Sequence, residues 1–192
     1  MHPIYHESRR RETAVALQAR FQGRQDVLYS DAAECTNSTG HISVATRENG
    51  GPVACCRTRH WTVTEAEELA IALALTQQQV KIIVSDSKSA IRNFDAGCIS
   101  ATAAQVLTGS PPPAELVALI WTPAHQGLRG NEKAHALARG LATFRDPSGV
   151  LCTTPSPSRD EELLQFEDDL NTYQEILNHY KLGRAVLPKA SK

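Results

Sequence analysis

Two short apolar runs, each followed at once by an aspartate, constrain the fold more than any other feature. Asp31 follows VLYS at positions 27–30, and Asp86 follows IIVS at positions 82–85. Short runs of this composition predict buried strands. A carboxylate beside such a strand costs free energy unless a cation or hydrogen-bond donors satisfy it, although an Asp can also simply start a turn. If the strands are neighbours, the carboxylates lie within about 5 Å, the spacing between strands.

The remaining periodicity predicts an α/β fold with a mixed sheet and helices on its faces. Runs rich in β-formers flank the turn residues at 49–52, which is typical of a hairpin. Asn131 is a candidate N-cap for the last helix of the domain. The predicted strands are 27–33, 42–47, 53–57, 81–85 and 116–122, and the predicted helices are 7–22, 65–77, 88–95, 101–108 and 131–144.

Composition excludes several classes of protein. The formal net charge is −1, so any nucleic-acid role must rest on a local surface. Five cysteines without CxxC spacing argue against a zinc site or a disulfide scaffold. The N-terminus lacks the apolar stretch of a signal peptide, and the longest apolar run is too short to span a membrane. We expect an intracellular protein, nuclear or cytoplasmic, that is not secreted and has no membrane contact.

A third acidic candidate lies at the start of the helix predicted at 65–77, but spacing alone does not identify it. Glu65 has Glu68 and Leu69 at i+3 and i+4, so it is predicted to face outward. Glu67 and Glu68 each share a face with apolar residues of the helix. Periodicity leaves both of these glutamates open.

A histidine in a flexible loop is the last candidate. His125 follows a predicted strand and is flanked by Pro123, Gly127 and Gly130. An unperturbed pKa of about 6.5 lets histidine give and take protons near neutrality. A single loop histidine is more often ordinary surface, so the surrounding motif must support the functional interpretation.

These segments together resemble type 1 ribonuclease H, most closely the ribonuclease H domains of non-LTR retrotransposons. VLYSDAA resembles the family's first strand, and IIVSDSKSAI resembles the strand that carries its third acid. AEELAIALAL resembles its A-E-L-x-A-I-x-L-A-L helix start, which places the catalytic glutamate at Glu67. WTPAHQGLRGNEKAHALARG resembles the most specific family motif. The resemblance covers residues 26–142, and the flanks resemble those of retroelement-derived arthropod reading frames.

The resemblance implies a ribonuclease H-like sheet of three antiparallel strands followed by two parallel ones. It also implies hydrolysis of the RNA strand of an RNA–DNA hybrid by two Mg²⁺ ions, with Mn²⁺ as an alternative. The implied metal ligands are Asp31, Glu67, Asp86 and the fourth position, His135. His125 would assist proton movement or product release. The positions implied to contact the hybrid are Asn37, Thr64, Lys88 and Asn131.

His135 is the departure from the family pattern, which has Asp at this position. Neutral imidazole brings no charge to offset Mg²⁺, suits Mn²⁺ somewhat better and suits Zn²⁺ far better. Three accounts are open: a working site with a weakened metal shell, an enzyme that favours Mn²⁺, or a domain that folds without cleaving. The corresponding alternative function is an inactive ribonuclease H-like module that binds nucleic acid.

The sequence divides into a domain with appendages. We predict a basic helical extension at 1–25, the ribonuclease H-like domain at 26–145 and a linker at 146–159. The linker has three Pro, three Ser and one Gly in fourteen residues. In the tail, 160–192, an apolar stripe predicts a helix at 160–180 that packs on the domain or binds a protein partner. The stripe comprises Leu163, Phe166, Leu170, Tyr173, Leu177 and Tyr180.

Overall fold

The computed structural model describes residues 6–36, 40–49, 51–58, 62–113 and 115–143, which form an α/β fold around a five-stranded sheet. The predicted class, with a mixed sheet and flanking helices, is confirmed and is consistent with a ribonuclease H-like fold. The elements are α1 (Glu7–Phe21), β1 (Val27–Glu34), β2 (His41–Thr46), β3 (Pro52–Thr58), α2 (Val63–Leu75), β4 (Ile82–Ser85), α3 (Lys88–Ala96), α4 (Ala101–Thr108), β5 (Ala118–Trp121) and α5 (Arg129–Thr143).

The sheet has the order β3-β2-β1-β4-β5, with β1 at its centre. The pairs β1–β2 and β2–β3 are antiparallel, as expected for strands joined by short connections. The pairs β1–β4 and β4–β5 are parallel, so each needs a crossover, and helices supply it. Pro52 opens the edge strand β3, where its missing N–H does least damage.

Both faces of the sheet are covered, because successive residues of a strand point to opposite sides. On one face Leu28, Ile83 and Leu119 pack with α2, α3 and α4. On the other face Tyr29 and Val84 pack with α1 and α5. The run from Ala66 to Leu75 is buried on all sides, which is why α2 reads as almost continuously apolar.

The first helix packs on the same core as the rest of the domain. Ala14 and Phe21 of α1 are each 1% exposed and belong to the apolar cluster beneath α5. The Gln18 amide donates to Glu48 Oε1 at 2.6 Å and its carbonyl oxygen accepts from Arg129 N at 2.9 Å. The described part of the predicted N-terminal extension therefore contacts the domain closely.

The start of α5 differs from the prediction. The helix begins at Arg129, so Asn131 lies in its first turn and the prediction that Asn131 is the N-cap is wrong. The backbone N–H of Glu132 already donates to Leu128 O at 3.0 Å. Gly130 is needed in this turn, because a Cβ there would lie 2.2 Å from the Tyr29 ring.

Three predictions fall on residues outside the described ranges. These are the linker at 146–159, the amphipathic helix at 160–180 and the substrate contact assigned to Asn37. They stay predictions.

Candidate metal centre

Two aspartates lie side by side where β4 ends. In the parallel β1–β4 pair Ser30 lies opposite Ser85, and Asp31 and Asp86 are the next residues of the two segments. Asp86 directly follows the last residue of β4. Asp31 lies inside β1, as the predicted strand at 27–33 implies, because β1 continues to Glu34 through its pairing with β2. The strand register therefore brings the two carboxylates together.

Two of the three glutamates at the start of α2 have structural roles. Glu65 forms a capping box with Thr62, whose backbone N–H donates to Glu65 Oε2 at 2.8 Å. Glu68 is 2% exposed and accepts from Asn93 Nδ2 at 2.5 Å and from the backbone N–H of Ser100 at 2.6 Å. Glu68 thus ties α2 to α3 and to the start of α4.

Glu67 faces the aspartates. One ligand atom from each of Asp31, Glu67 and Asp86 lies within 4.8 Å of the other two, so their predicted convergence is confirmed. Asp31 is 2% exposed and Glu67 6%, while Asp86 is half-buried. Within the described part of the chain, Glu67 Oε2 is buried without a hydrogen-bond partner.

Burial and mutual repulsion disfavour negative charge in this cluster. Burial raises the pKa of Asp31 to about 6; the charge of Asp86 adds to the shift and the neighbouring His135 opposes it. Burial raises the pKa of Glu67 well above its ordinary value, and the charges of Asp31 and Asp86 raise it further. A divalent cation between the carboxylates offsets both effects, so the cluster has the electrostatics of a cation site.

Asp86 is held by two neighbours. Asn131 Nδ2 on α5 donates to Asp86 Oδ2 at 3.1 Å, and Trp121 Nε1 on β5 donates to the Asp86 backbone oxygen at 3.0 Å. Asn131 was assigned to substrate contact, but it is 2% exposed and its amide is directed at Asp86. Here it orients a carboxylate of the cluster.

His135 faces the cluster from α5, as predicted, but lies to one side of it. Its Nδ1 is 2.9 Å from Asp31 Oδ2, and its side chain is 23% exposed. The ligand atoms that converge within 4.8 Å belong to the three acids, and His135 is not part of that group. The imidazole therefore contacts Asp31 but is not part of the group formed by the three acids.

The loop histidine lies over this imidazole. His125 is in the left-handed backbone region with φ 56°, and its ring meets the ring of His135 edge to face at 4.8 Å between centroids. Its Nδ1 is 3.9 Å from Glu132 Oε2, and its side chain is 64% exposed. His125 is thus close to the cluster through His135 and open to solvent.

The other predicted substrate contacts lie around the cluster. Thr64 is half-buried in the first turn of α2, and Lys88 is exposed at the start of α3. Lys88 Nζ lies 4.0 Å from the centroid of the Trp121 ring, a cation–π contact. Lysine and indole together form a cationic, aromatic rim beside Asp86.

Two residues have roles that were not predicted, Trp121 as a hydrogen-bond donor to Asp86 and Glu68 as an acceptor that joins three helices. Trp121 stood in the quoted motif but received no role; the need of a partly buried indole N–H for an acceptor was the available signal. Glu68 had no signal, since its spacing matches that of Glu67.

The donor set fits a hard divalent cation. Three carboxylates supply only oxygen, the ligand that Mg²⁺ and Mn²⁺ accept readily. The buried Glu67 oxygen without a partner is the kind of atom that a bound ion satisfies. The cluster can therefore hold a metal ion.

Comparison with known proteins adds no relative: no protein-family model matches the chain, and no curated protein matches it. Among the described helices, none has both the length and the apolar character needed to cross a bilayer.

Proposed function

We propose that this protein is a ribonuclease of the type 1 ribonuclease H family that hydrolyses the RNA strand of RNA–DNA hybrids. The observation that carries the proposal is the convergence of Asp31, Glu67 and Asp86 within 4.8 Å, with a buried Glu67 oxygen that lacks a partner. The motif resemblance supplies the substrate class, and a retroelement origin follows from the same resemblance.

The three carboxylates would hold the catalytic cation, Mg²⁺ or Mn²⁺. When bound, such an ion supplies Lewis acidity and lowers the pKa of a coordinated water. Asp31 would contribute to the metal site from the centre of this group, because it belongs to the three-acid cluster and also contacts His135. Asn131 fixes the rotamer of Asp86 through its 3.1 Å hydrogen bond.

His125 is suited to proton transfer at the edge of the site. Its ring is exposed and reaches the cluster only through His135, so it can exchange protons with bulk water. Lys88 on the rim would contact backbone phosphate, and affinity would fall with salt. Selection of the RNA strand would come from 2′-hydroxyl contacts.

A non-catalytic nucleic-acid-binding module is the second candidate, and His135 favours it. A fourth carboxylate would add an oxygen ligand, whereas this imidazole is already engaged with Asp31. Fold alone does not separate the candidates, because one scaffold hosts many functions.

Cleavage of a labelled hybrid with Mg²⁺ or Mn²⁺ tests the proposal. We expect RNA-strand cleavage that requires metal and is lost in Asp86→Asn. The matched control is Asp95→Asn, since Asp95 is exposed on α3 away from the cluster. Metal-independent hybrid binding without cleavage would favour the binding module.

A further inference from the structure

The Asp31 carboxylate contacts one ring nitrogen of His135, which leaves the other ring nitrogen to bind a different group. Its Nδ1 lies 2.9 Å from Asp31 Oδ2, a distance at which an Nδ1–H group would donate to that carboxylate. In that tautomer Nε2 carries the lone pair that a metal ion can bind. Metal-binding histidines commonly have this arrangement, with one ring nitrogen on the metal and the other N–H on a carboxylate.

The second ring nitrogen of His135 has no protein partner among the described residues. Within the described ranges, His135 Nε2 is closed off from solvent and has no hydrogen-bond partner. Leaving a buried polar atom unpaired costs free energy that a bound ligand would restore. The two nitrogens of an imidazole point to different sides of the ring, so Nε2 is directed away from Asp31.

A second imidazole packs against the ring of His135. The ring of His125 is 4.8 Å from that of His135 and nearly perpendicular to it, at 80°. His125 is on a loop, is largely exposed and has only a long contact of 3.9 Å to Glu132. It can therefore turn toward a shared ligand without breaking a close hydrogen bond of the described structure. Its backbone is in the left-handed region, with φ 56°.

We propose that His125 and His135 form a second cation site, built on nitrogen and selective for Zn²⁺ or a similar transition metal over Mg²⁺. Two neutral imidazoles suit Zn²⁺ and supply no oxygen to Mg²⁺. Asp31 serves this site by orienting His135, and also belongs to the oxygen-donor cluster. The two sites therefore share one carboxylate but differ in the metal that they take. The site would exist whether or not the protein cleaves a hybrid.

Titration of the full-length protein with Co²⁺, a coloured substitute for Zn²⁺, tests the site without nucleic acid. We expect saturable visible absorption that Zn²⁺ abolishes and excess Mg²⁺ does not. His135→Gln removes the ring nitrogen while keeping a side-chain donor for Asp31, and should lower Co²⁺ affinity at least about tenfold, as should His125→Ala. His6→Gln is the matched control, since His6 lies outside the site at the start of α1.

A second measurement separates this site from the carboxylates. Glu67→Gln should retain the Co²⁺ absorption, because Glu67 belongs to the three-acid group, which includes neither histidine. In ¹⁵N spectra of the histidine rings, Zn²⁺ should shift His135 Nε2. Unchanged absorption in His135→Gln, or its loss in Glu67→Gln, would overturn the proposal. Failure to cleave a hybrid, with the Co²⁺ signal intact, would refute only the proposed nuclease function.

Discussion

Adjacent glutamates on α2 face two different environments. Glu67 and Glu68 are 6% and 2% exposed, so burial does not distinguish them. Glu68 accepts short hydrogen bonds from Asn93 and Ser100, in the region where α2 meets α3 and α4. Glu67 lies where α2 meets β1 and β4, with two carboxylates as neighbours and an oxygen that no described group satisfies.

The difference shows that a buried acid is a site candidate only when its surroundings fail to satisfy it. Donors around Glu68 replace the water that it lost, so its charge stabilises the packing of three helices. Around Glu67 the carboxylates of Asp31 and Asp86 repel a negative charge, and this repulsion lowers the stability of the folded state. A bound cation offsets that repulsion, so cation binding at the three carboxylates is favourable.

Catalysis should separate the two glutamates most strongly. We expect Glu67→Gln to lower metal-dependent hybrid cleavage at least about a hundredfold, because a cation ligand stabilises the transition state by several kcal/mol. Glu68→Gln should retain the cleavage rate per folded molecule. The measurement is single-turnover cleavage at a temperature where both variants are folded. Equal losses in the two variants would contradict the functional distinction.

Stability should separate them in the opposite sense. Removing the acceptor in Glu68→Ala leaves Asn93 and the Ser100 N–H unpaired and should cost about 3 kcal/mol. Without metal, Glu67→Gln should be neutral or stabilising, since it removes repulsion from Asp31 and Asp86. Urea unfolding measures both. The control Asp95→Ala should change the free energy of unfolding by less than about 0.5 kcal/mol. If Glu67→Gln lowers the free energy of unfolding by more than this control does, the predicted difference between the two glutamates is wrong.

The stability of the protein should depend on pH because two carboxylates of the cluster, Asp31 and Glu67, have raised pKa values in the folded state. The pKa of Asp31 rises from 3.8 to about 6 on folding, so between these values the folded state binds more protons than the unfolded state. Stability contributed by this proton therefore falls as pH rises. From about pH 5.5 to about pH 7.5, Asp31 alone should cost about 1 kcal/mol without metal.

Asp31→Asn should flatten this profile, while Glu68→Gln should leave its slope unchanged. Mg²⁺ should stabilise the protein more at the higher pH, since its ligands must be deprotonated. An apo protein whose stability rises across the same interval would refute the raised pKa of Asp31. Chemical denaturation at each pH, with and without metal, provides the values.

The smallest effect is expected from removing residues 150–192, which comprise part of the predicted linker and the predicted tail. Deleting 150–192 should leave metal binding and the contrast between Glu67 and Glu68 unchanged, while altering solubility or association. Thermal unfolding and size-exclusion chromatography measure these. Loss of folding on deletion would mean that the tail belongs to the core and that the predicted boundary is misplaced.

Strand and helix identity was largely readable from the sequence. The apolar run at 82–85 and the apolar stretch after Glu68 predicted β4 and α2. The observed ends of these elements differ from the predicted ends by one or two residues. The start of α5 was missed, because its first backbone N–H finds its acceptor in Gln18, a residue 111 positions away. Local patterns carry no information about such a partner.

The sequence by itself determined the α/β class, the position of an aspartate after each of two apolar runs and the unusual histidine at position 135. Alternation and apolar runs indicate which residues are buried, and burial decides which elements form a core. Periodicity left Glu67 and Glu68 open and the motif resemblance selected Glu67, but only the tertiary structure showed what each glutamate contacts. Only the tertiary structure paired Asp31 with Asp86, placed Asn131 beside Asp86 and packed His125 against His135. Those outcomes depend on which donors and charges arrive from distant segments. Helical spacing predicts the face of the helix on which a side chain lies, but it does not predict which residues of other segments that face contacts.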